Sequence, residues 1–446
     1  MSSLLAVLLA GSVAAQKVGD LEPELHPKLS WKKCNLEQGC ETVQGEITID
    51  SNWRWLRDVN GYNGCIEGGQ WLDDICSSNQ DCTENCALEG ATYEGTYGIR
   101  TNGHQLSMRY FTPHPFSYSV NSRVFLMDTE ETYQMFTLMG NEIAVDVDLS
   151  TVECGINSAL YFVAMEADGG KASYPTNKAG AKYGTGYCDA NCPRSNRFNG
   201  GQANFEGWVK SPTDDFNGDG NYGACCAEFD VLNSNAHSYS LVSKPCIDVG
   251  YEVCKGDDCS YNTGTDAHWR VTCDNSGCDY SPYRLGLTDF YGRGKIVDTN
   301  KNFTVVTRFE ETGVTQFFLQ DGKRIEVPAP ADPEIADTSG LTEDYCFNKP
   351  YAFGEYDRFN ELGGFFKHNE ALRRPMVLAM AITDDHWRHN LWLDSQWPLD
   401  STGPGTQRGP CIPENNDPLV TKAWWRRATV VWSNIRFGPV GSTVDV

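Results

Sequence analysis

Apolar and polar residues alternate with a period of two in several short stretches, among them Thr42 to Ile49, Glu142 to Asp148, Thr304 to Phe309 and Ala428 to Phe437. Each lies between clusters of Gly, Asn and Asp, which supply turns, so each predicts a strand with one face buried and the other wet. Helical periodicity is scarce, and its best candidates are short turns between Glu361 and Leu372. The pattern predicts an all-β fold, a sandwich of antiparallel sheets.

A chain of 446 residues is long enough for two or three domains. No Ser/Thr/Pro-rich linker divides the patterned stretches, however, and the Pro-rich segment from Val327 to Pro333 is too short to serve as one. The expectation is therefore one domain over 16–446, with long functional loops and no appended carbohydrate-binding module. Ahead of it, Ser2 to Ala15 carries no charge, is apolar from Leu4 to Ala10 and ends in Val13-Ala14-Ala15. That is the form of a secretory leader cleaved before Gln16, and it predicts an extracellular protein. No later stretch is long and apolar enough to predict a membrane-spanning helix.

Export changes the reading of the cysteines. Eighteen of them in an oxidising compartment predict nine disulfides. Zinc is the weaker reading, because Cys188, Cys192, Cys225 and Cys226 have no histidines at ligand spacing. Neither a Gly-rich phosphate loop nor a His-rich cluster points to a nucleotide or metal cofactor. A net charge of −24 disfavours nucleic acid and anionic membranes, whose binders need clustered Lys and Arg. A neutral polysaccharide fits better, and a monomer is expected.

Candidate chemistry begins at Glu228-Phe229-Asp230-Val231-Leu232-Asn233. On a strand, Glu228 and Asp230 share one face about 7 Å apart. Paired carboxylates in a cleft are what glycosidic bond cleavage uses, although such a pair is more often a solvated strand face. The aromatic residues change that balance. Trp53 and Trp55 in Asn52-Trp53-Arg54-Trp55 place two indoles on one face, and Trp392, Trp397, Tyr161 and Tyr187 add flat surfaces on which sugar rings can stack.

The chain resembles glycoside hydrolase family 7, the fungal-type cellobiohydrolases and endoglucanases. The resemblance runs from Leu29-Ser30-Trp31-Lys32-Lys33-Cys34 to Ser433-Asn434-Ile435-Arg436-Phe437-Gly438-Pro439. Between them lie Asn52-Trp53-Arg54-Trp55, Ala181-Lys182-Tyr183-Gly184-Thr185-Gly186-Tyr187-Cys188, Gly201-Gln202-Ala203-Asn204 and Pro282-Tyr283-Arg284-Leu285-Gly286. It implies a jelly-roll sandwich of two curved antiparallel sheets whose loops roof a tunnel for one β-1,4-glucan chain. It also implies the pairs Cys34–Cys40, Cys65–Cys86, Cys76–Cys82, Cys154–Cys411, Cys188–Cys226, Cys192–Cys225, Cys246–Cys273, Cys254–Cys259 and Cys278–Cys346. The segments Cys254 to Cys273, Asp344 to Leu372 and Asp394 to Cys411 have the length of cellobiohydrolase loops.

The family's catalytic run has Glu, Asp and Glu at i, i+2 and i+5. The resemblance makes Glu228 the nucleophile and Asp230 its assisting carboxylate, and it puts Asn233 in the acid/base position. It further implies substrate contacts at Trp53, Trp55, Asn157, Tyr161, Tyr187, Asp189, Asn191, Lys244, Asp279, Trp392 and Arg408. Two of these positions and three others depart from the family pattern: Lys244 replaces a histidine and Asn191 a glutamine, and Thr383 stands for a tryptophan, His268 for an arginine and Ser276 for an aspartate. An amide at 233 can neither protonate a leaving oxygen nor activate water. Two readings follow: a glucan-binding protein on a cellulase scaffold, which we favour, or a hydrolase whose proton comes from His237, Asp189 or water. The tunnel loops and tryptophans weigh against a purely structural wall protein. Asn302-Phe303-Thr304 offers an N-glycosylation acceptor.

Overall fold

A computed structural model describes residues 16–115, 117–259, 272–335 and 339–445. The leader, His268 and most of the Cys254 to Cys273 loop lie outside the described residues. The longer strands, in chain order, are β1 (Lys28–Asn35), β2 (Gly39–Ile49), β3 (Ser122–Thr129), β4 (Asn141–Asp148), β5 (Asn157–Val163) and β6 (Glu228–Ser234). They continue with β7 (Tyr239–Lys244), β8 (Cys278–Tyr280), β9 (Phe303–Glu310), β10 (Gly313–Gln320), β11 (Met376–Thr383) and β12 (Thr429–Pro439). All four alternating stretches read from the sequence are strands.

Antiparallel pairing builds one sheet in the order β1-β2-β3-β11-β5-β6-β7-β8. A second sheet runs β12-β4-β9-β10. A short parallel pairing of Lys32 and Lys33 with Arg436 and Phe437 joins the two sheets along one side. Aromatic side chains fill the space between them: Phe229 and Phe162 of the first sheet reach Phe309 of the second, with ring centroids 5.1 and 6.4 Å apart. Because side chains alternate along a strand, Phe162 and Phe229 pointing inward sends Tyr161, Glu228 and Asp230 to the outer face of the first sheet.

The nine disulfides form in the pairing the resemblance implies. Helices are few. The expected one appears as α2 (Gly364–Leu372), but a longer one, α1 (Glu343–Phe353), was not foreseen. Pro350 inside it and exposed Phe347 and Tyr351 on it hide the helical signature. Among the described residues no helix is long and apolar enough to cross a membrane.

Candidate active site

The outer face of the first sheet can be read row by row from the strand register. Glu228 stands opposite Lys244, and Asp230 stands opposite both Tyr161 and Val242. Val242 in turn faces Asp279. Strict alternation would put Leu232 on this face next and turn Asn233 into the core. The ladder slips instead: Tyr161 pairs with Asp230 and Leu160 with Leu232, leaving Val231 as an extra residue. This one-residue bulge returns Asn233 to the outer face, opposite Ala159 and Ser240. The Val231 carbonyl, displaced from the ladder, accepts a 2.7 Å hydrogen bond from Gln316 of β10.

On the N-terminal side of the bulge every charge has a partner. Lys244 Nζ lies 2.9 Å from Glu228 Oε1 and 2.8 Å from Asp230 Oδ2, and all three side chains are buried. Glu228 Oε2 accepts the backbone N–H of Ala190 at 3.1 Å. That amide is held in place because Cys188–Cys226 and Cys192–Cys225 clamp segment 188–192 against the residues leading into β6. Burial, and then the neighbouring Asp230 carboxylate, push Glu228 up to about 8 against the opposing pull of Lys244. Burial alone would discharge the Lys244 ammonium, but Asp230 and Glu228 hold it charged and above its ordinary value.

Beside this cluster, Asp189 accepts from the Tyr187 hydroxyl and, at 2.7 Å, from the backbone N–H of exposed Asn191. Burial, followed by Glu228, raises its carboxyl above the usual range. Tyr187, expected as a flat surface for sugar rings, is covered by the Arg123 guanidinium, 3.1 Å from its ring centroid, and its hydroxyl lies 3.1 Å from that of Tyr161. Arg123 was not foreseen. Its signal was a lone cation immediately before the apolar run from Val124 to Met127 on β3.

Beyond the bulge the site is neutral. Asn233 is 4% exposed, and its Oδ1 accepts from Asn157 Nδ2 at 2.9 Å, while Asn157 Oδ1 accepts the Ser234 N–H at 3.0 Å. Asn157 stands opposite Thr383 on β11. Asn233 Nδ2 and the hydroxyl of Ser240 opposite it are both buried without a hydrogen-bond partner. Alanines 159, 379 and 381 stand on the same sheet face beside it. Of the suggested proton donors, His237 is engaged by Glu153 at 2.8 Å, and Asp189 lies on the Glu228 side of the bulge.

Trp53 ends a short 3-10 turn, gives its indole N–H to Val120 O at 3.1 Å and lies 5.3 Å from the Arg123 guanidinium. Trp55 is 38% exposed, and Arg54 between the two is fully buried. Trp392 is half-buried on α3 (Leu391–Asp394). Asp394 anchors that helix to the Gly155 N–H at 2.9 Å and to Asn235 Nδ2 at 2.6 Å, next to the ends of β5 and β6 beyond the bulge. Trp397 is also half-buried, and Ser276 is exposed.

Asp279 is held by Arg284 and Lys349. Burial acts to raise its carboxyl, but Arg284, Lys349 and Arg408 hold it well below the carboxylate range. Arg408 lies 3.4 Å from Glu355, its Nε has no partner, and burial, then Arg284, bring it down to about 10. As for metals, the two places among the described residues where three ligand atoms converge both use disulfide-bonded sulfur rather than free thiolate.

The family model described as Glycosyl hydrolase family 7 matches residues 18–444. Among solved structures, a cellobiohydrolase from Melanocarpus albomyces complexed with cellotetraose is 50% identical, with 97% of this chain and 100% of that chain covered and a TM-score of 0.93. A GH7 family cellobiohydrolase from Daphnia pulex is 38% identical over 96% and 100%, also at 0.93. The native endocellulase EGI of Humicola insolens is 31% identical over 96% and 100%, at 0.81.

Proposed function

This chain belongs to glycosyl hydrolase family 7, and from that premise we propose that it is a secreted protein that grips single β-1,4-glucan chains and hydrolyses them poorly. The observation that carries this reading is the amide pair Asn233–Asn157 in the place on the cleft face where a proton donor would stand. In a retaining reaction Glu228 attacks the anomeric carbon while an acid protonates the departing oxygen, and the same group later activates water. Glu228 and Asp230 remain, braced by Lys244. Asn233 has no proton to give, and loss of a positioned acid/base costs about 10²–10⁴ in rate.

What Asn233 does offer is binding. Its unpaired Nδ2 and the unpaired Ser240 hydroxyl are hydrogen-bonding groups on the floor, suited to a glycosidic oxygen and a sugar hydroxyl. Trp53, Trp55 and Trp392 supply stacking surfaces, and cellulose is the substrate class the family suggests. The leader and nine disulfides support secretion. The reading of an active hydrolase rests on Asp189, whose carboxyl is raised. It stands beside the nucleophile, however, and both of its oxygens accept hydrogen bonds. Calorimetric binding of cellotetraose, measured beside product release from it, tests the proposal. Binding without release supports it, and release at cellulase rates refutes it.

A further inference from the structure

The two halves of the cleft floor differ in a way that bears on which glycosides the site can open. Glu228 is held by Lys244 and the Ala190 N–H, which orient it for attack once it is ionised. Opposite it, the leaving oxygen would meet an amide. Bond breaking then depends on the leaving group departing as an anion without help, which suits a phenol far better than a sugar alcohol.

The second observation concerns where such an anion would go. Asp230, Val242 and Asp279 stand in one row across three adjacent strands. At the usual strand spacing Asp279 is therefore about 10 Å from Asp230 on the same face. At the Asp279 end of that row Arg408 acts on the Asp279 carboxylate and approaches Glu355, and its main-chain carbonyl accepts from Ser238 Oγ at 2.8 Å, a few residues past Asn233. Its neighbours Arg284 and Lys349 are neutralised by Asp279 and Glu355, while Arg408 itself has a single long contact to Glu355 and an Nε with no partner. A buried guanidinium left this incompletely paired favours an added anion.

We propose that the site accepts β-cellobiosyl phenols whose aromatic ring bears a carboxylate, transferring the glycosyl unit to Glu228 while the phenolate leaves unprotonated and the ring carboxylate meets Arg408. The bond from C1 to the phenolic oxygen breaks with its electron pair on that oxygen, and a bond from C1 to a Glu228 oxygen forms. The glycosyl-enzyme is released when a small anionic nucleophile such as azide attacks C1, returning the pair to Glu228 and retaining the anomeric configuration. No step requires a proton from residue 233. The inference rests on the assignment of Asn233 to the leaving-group position.

The test uses the mature protein with three probes: the β-cellobioside of a hydroxynitrobenzoate, its methyl ester, and phenyl β-cellobioside. The expected result is a burst of one phenolate per protein, a cellobiosyl adduct on the Glu228 peptide by mass spectrometry, and faster loss of that adduct in azide. The carboxylate probe should react about tenfold faster than its ester, as a charge-assisted hydrogen bond provides, and Arg408→Met should remove that preference. Phenyl cellobioside should be inert. Absence of adduct with every probe while cellotetraose still binds overturns this inference and leaves the binding reading standing. Equal rates for acid and ester, unaffected by Arg408→Met, overturn the role of Arg408. Rapid turnover of phenyl cellobioside reveals a proton donor and overturns both readings.

Discussion

Strand β6 carries two different environments on either side of Val231. Before the bulge, Glu228 and Asp230 share one ammonium, the Ala190 N–H completes Glu228, and two disulfides hold that amide in place. After it, Asn233 and Asn157 form a neutral pair beside an unpaired hydroxyl, and no charge is carried by the residues that meet there. Under the proposed function, the first half supplies what covalent attack needs and the second only what binding needs. In a reaction that requires both halves, changing one functional group separates recognition from turnover.

The largest test of that division concerns the disulfide Cys154–Cys411, which ties the start of β5 to the Arg408 loop and so braces only the half beyond the bulge. It spans 257 residues, and the chain-entropy model assigns such a closure about 5 kcal/mol. Replacing both cysteines with serine should lower stability by that order in denaturant unfolding. Cello-oligosaccharide affinity should fall while Glu228 still reacts with an activated glycoside. Equal loss of both would mean that the halves are not separately supported.

Next in size is Lys244→Met, which strands two buried carboxylates without their cation and should cost about 3–5 kcal/mol of folding stability. Its pH signature sharpens the same point. Glu228 is an acid raised to about 8, so its reactive carboxylate, and with it the rate of labelling by an activated glycoside, should grow as pH rises towards that value. Because Lys244 pulls Glu228 down, removing it should move the profile to still higher pH. A profile unchanged in the variant would mean that Lys244 does not set the ionisation of Glu228.

Much of this arrangement was legible in the sequence and some was not, for identifiable reasons. Alternation located the strands, and the i, i+2 spacing placed Glu228 and Asp230 on one face, because side-chain direction follows directly from a period of two. The same rule turns Asn233 the wrong way. A bulge is a property of pairing between strands, and neither Val231 nor Leu232 announces it. The Gln316 that receives the freed carbonyl comes from the other sheet, 85 residues away. The ion triad was likewise hidden, since the register that brings Lys244 opposite Glu228 is fixed by the turn and ladder, not by composition. Tyr187 looked like a sugar platform because residue type shows an aromatic ring but not the Arg123 that covers it.

A smaller effect is expected at the periphery. Trp55 is exposed, and under the proposed function it stacks on a sugar ring, so Trp55→Ala should weaken cello-oligosaccharide binding by roughly 1–3 kcal/mol on the scale of ring stacking measured for bases, with labelling of Glu228 by a short activated glycoside unaltered. Unchanged affinity in a folded variant would remove Trp55 from the binding surface.

The most direct measurement compares product release from cellotetraose by the natural chain and by Asn233→Glu, with affinity determined for both. The account predicts that both bind the tetrasaccharide and that the Glu variant releases product about 10²–10⁴ times faster, the range expected of a restored acid/base. Cellulase-like release by the natural chain, unaffected by Asn233→Ala, would contradict it.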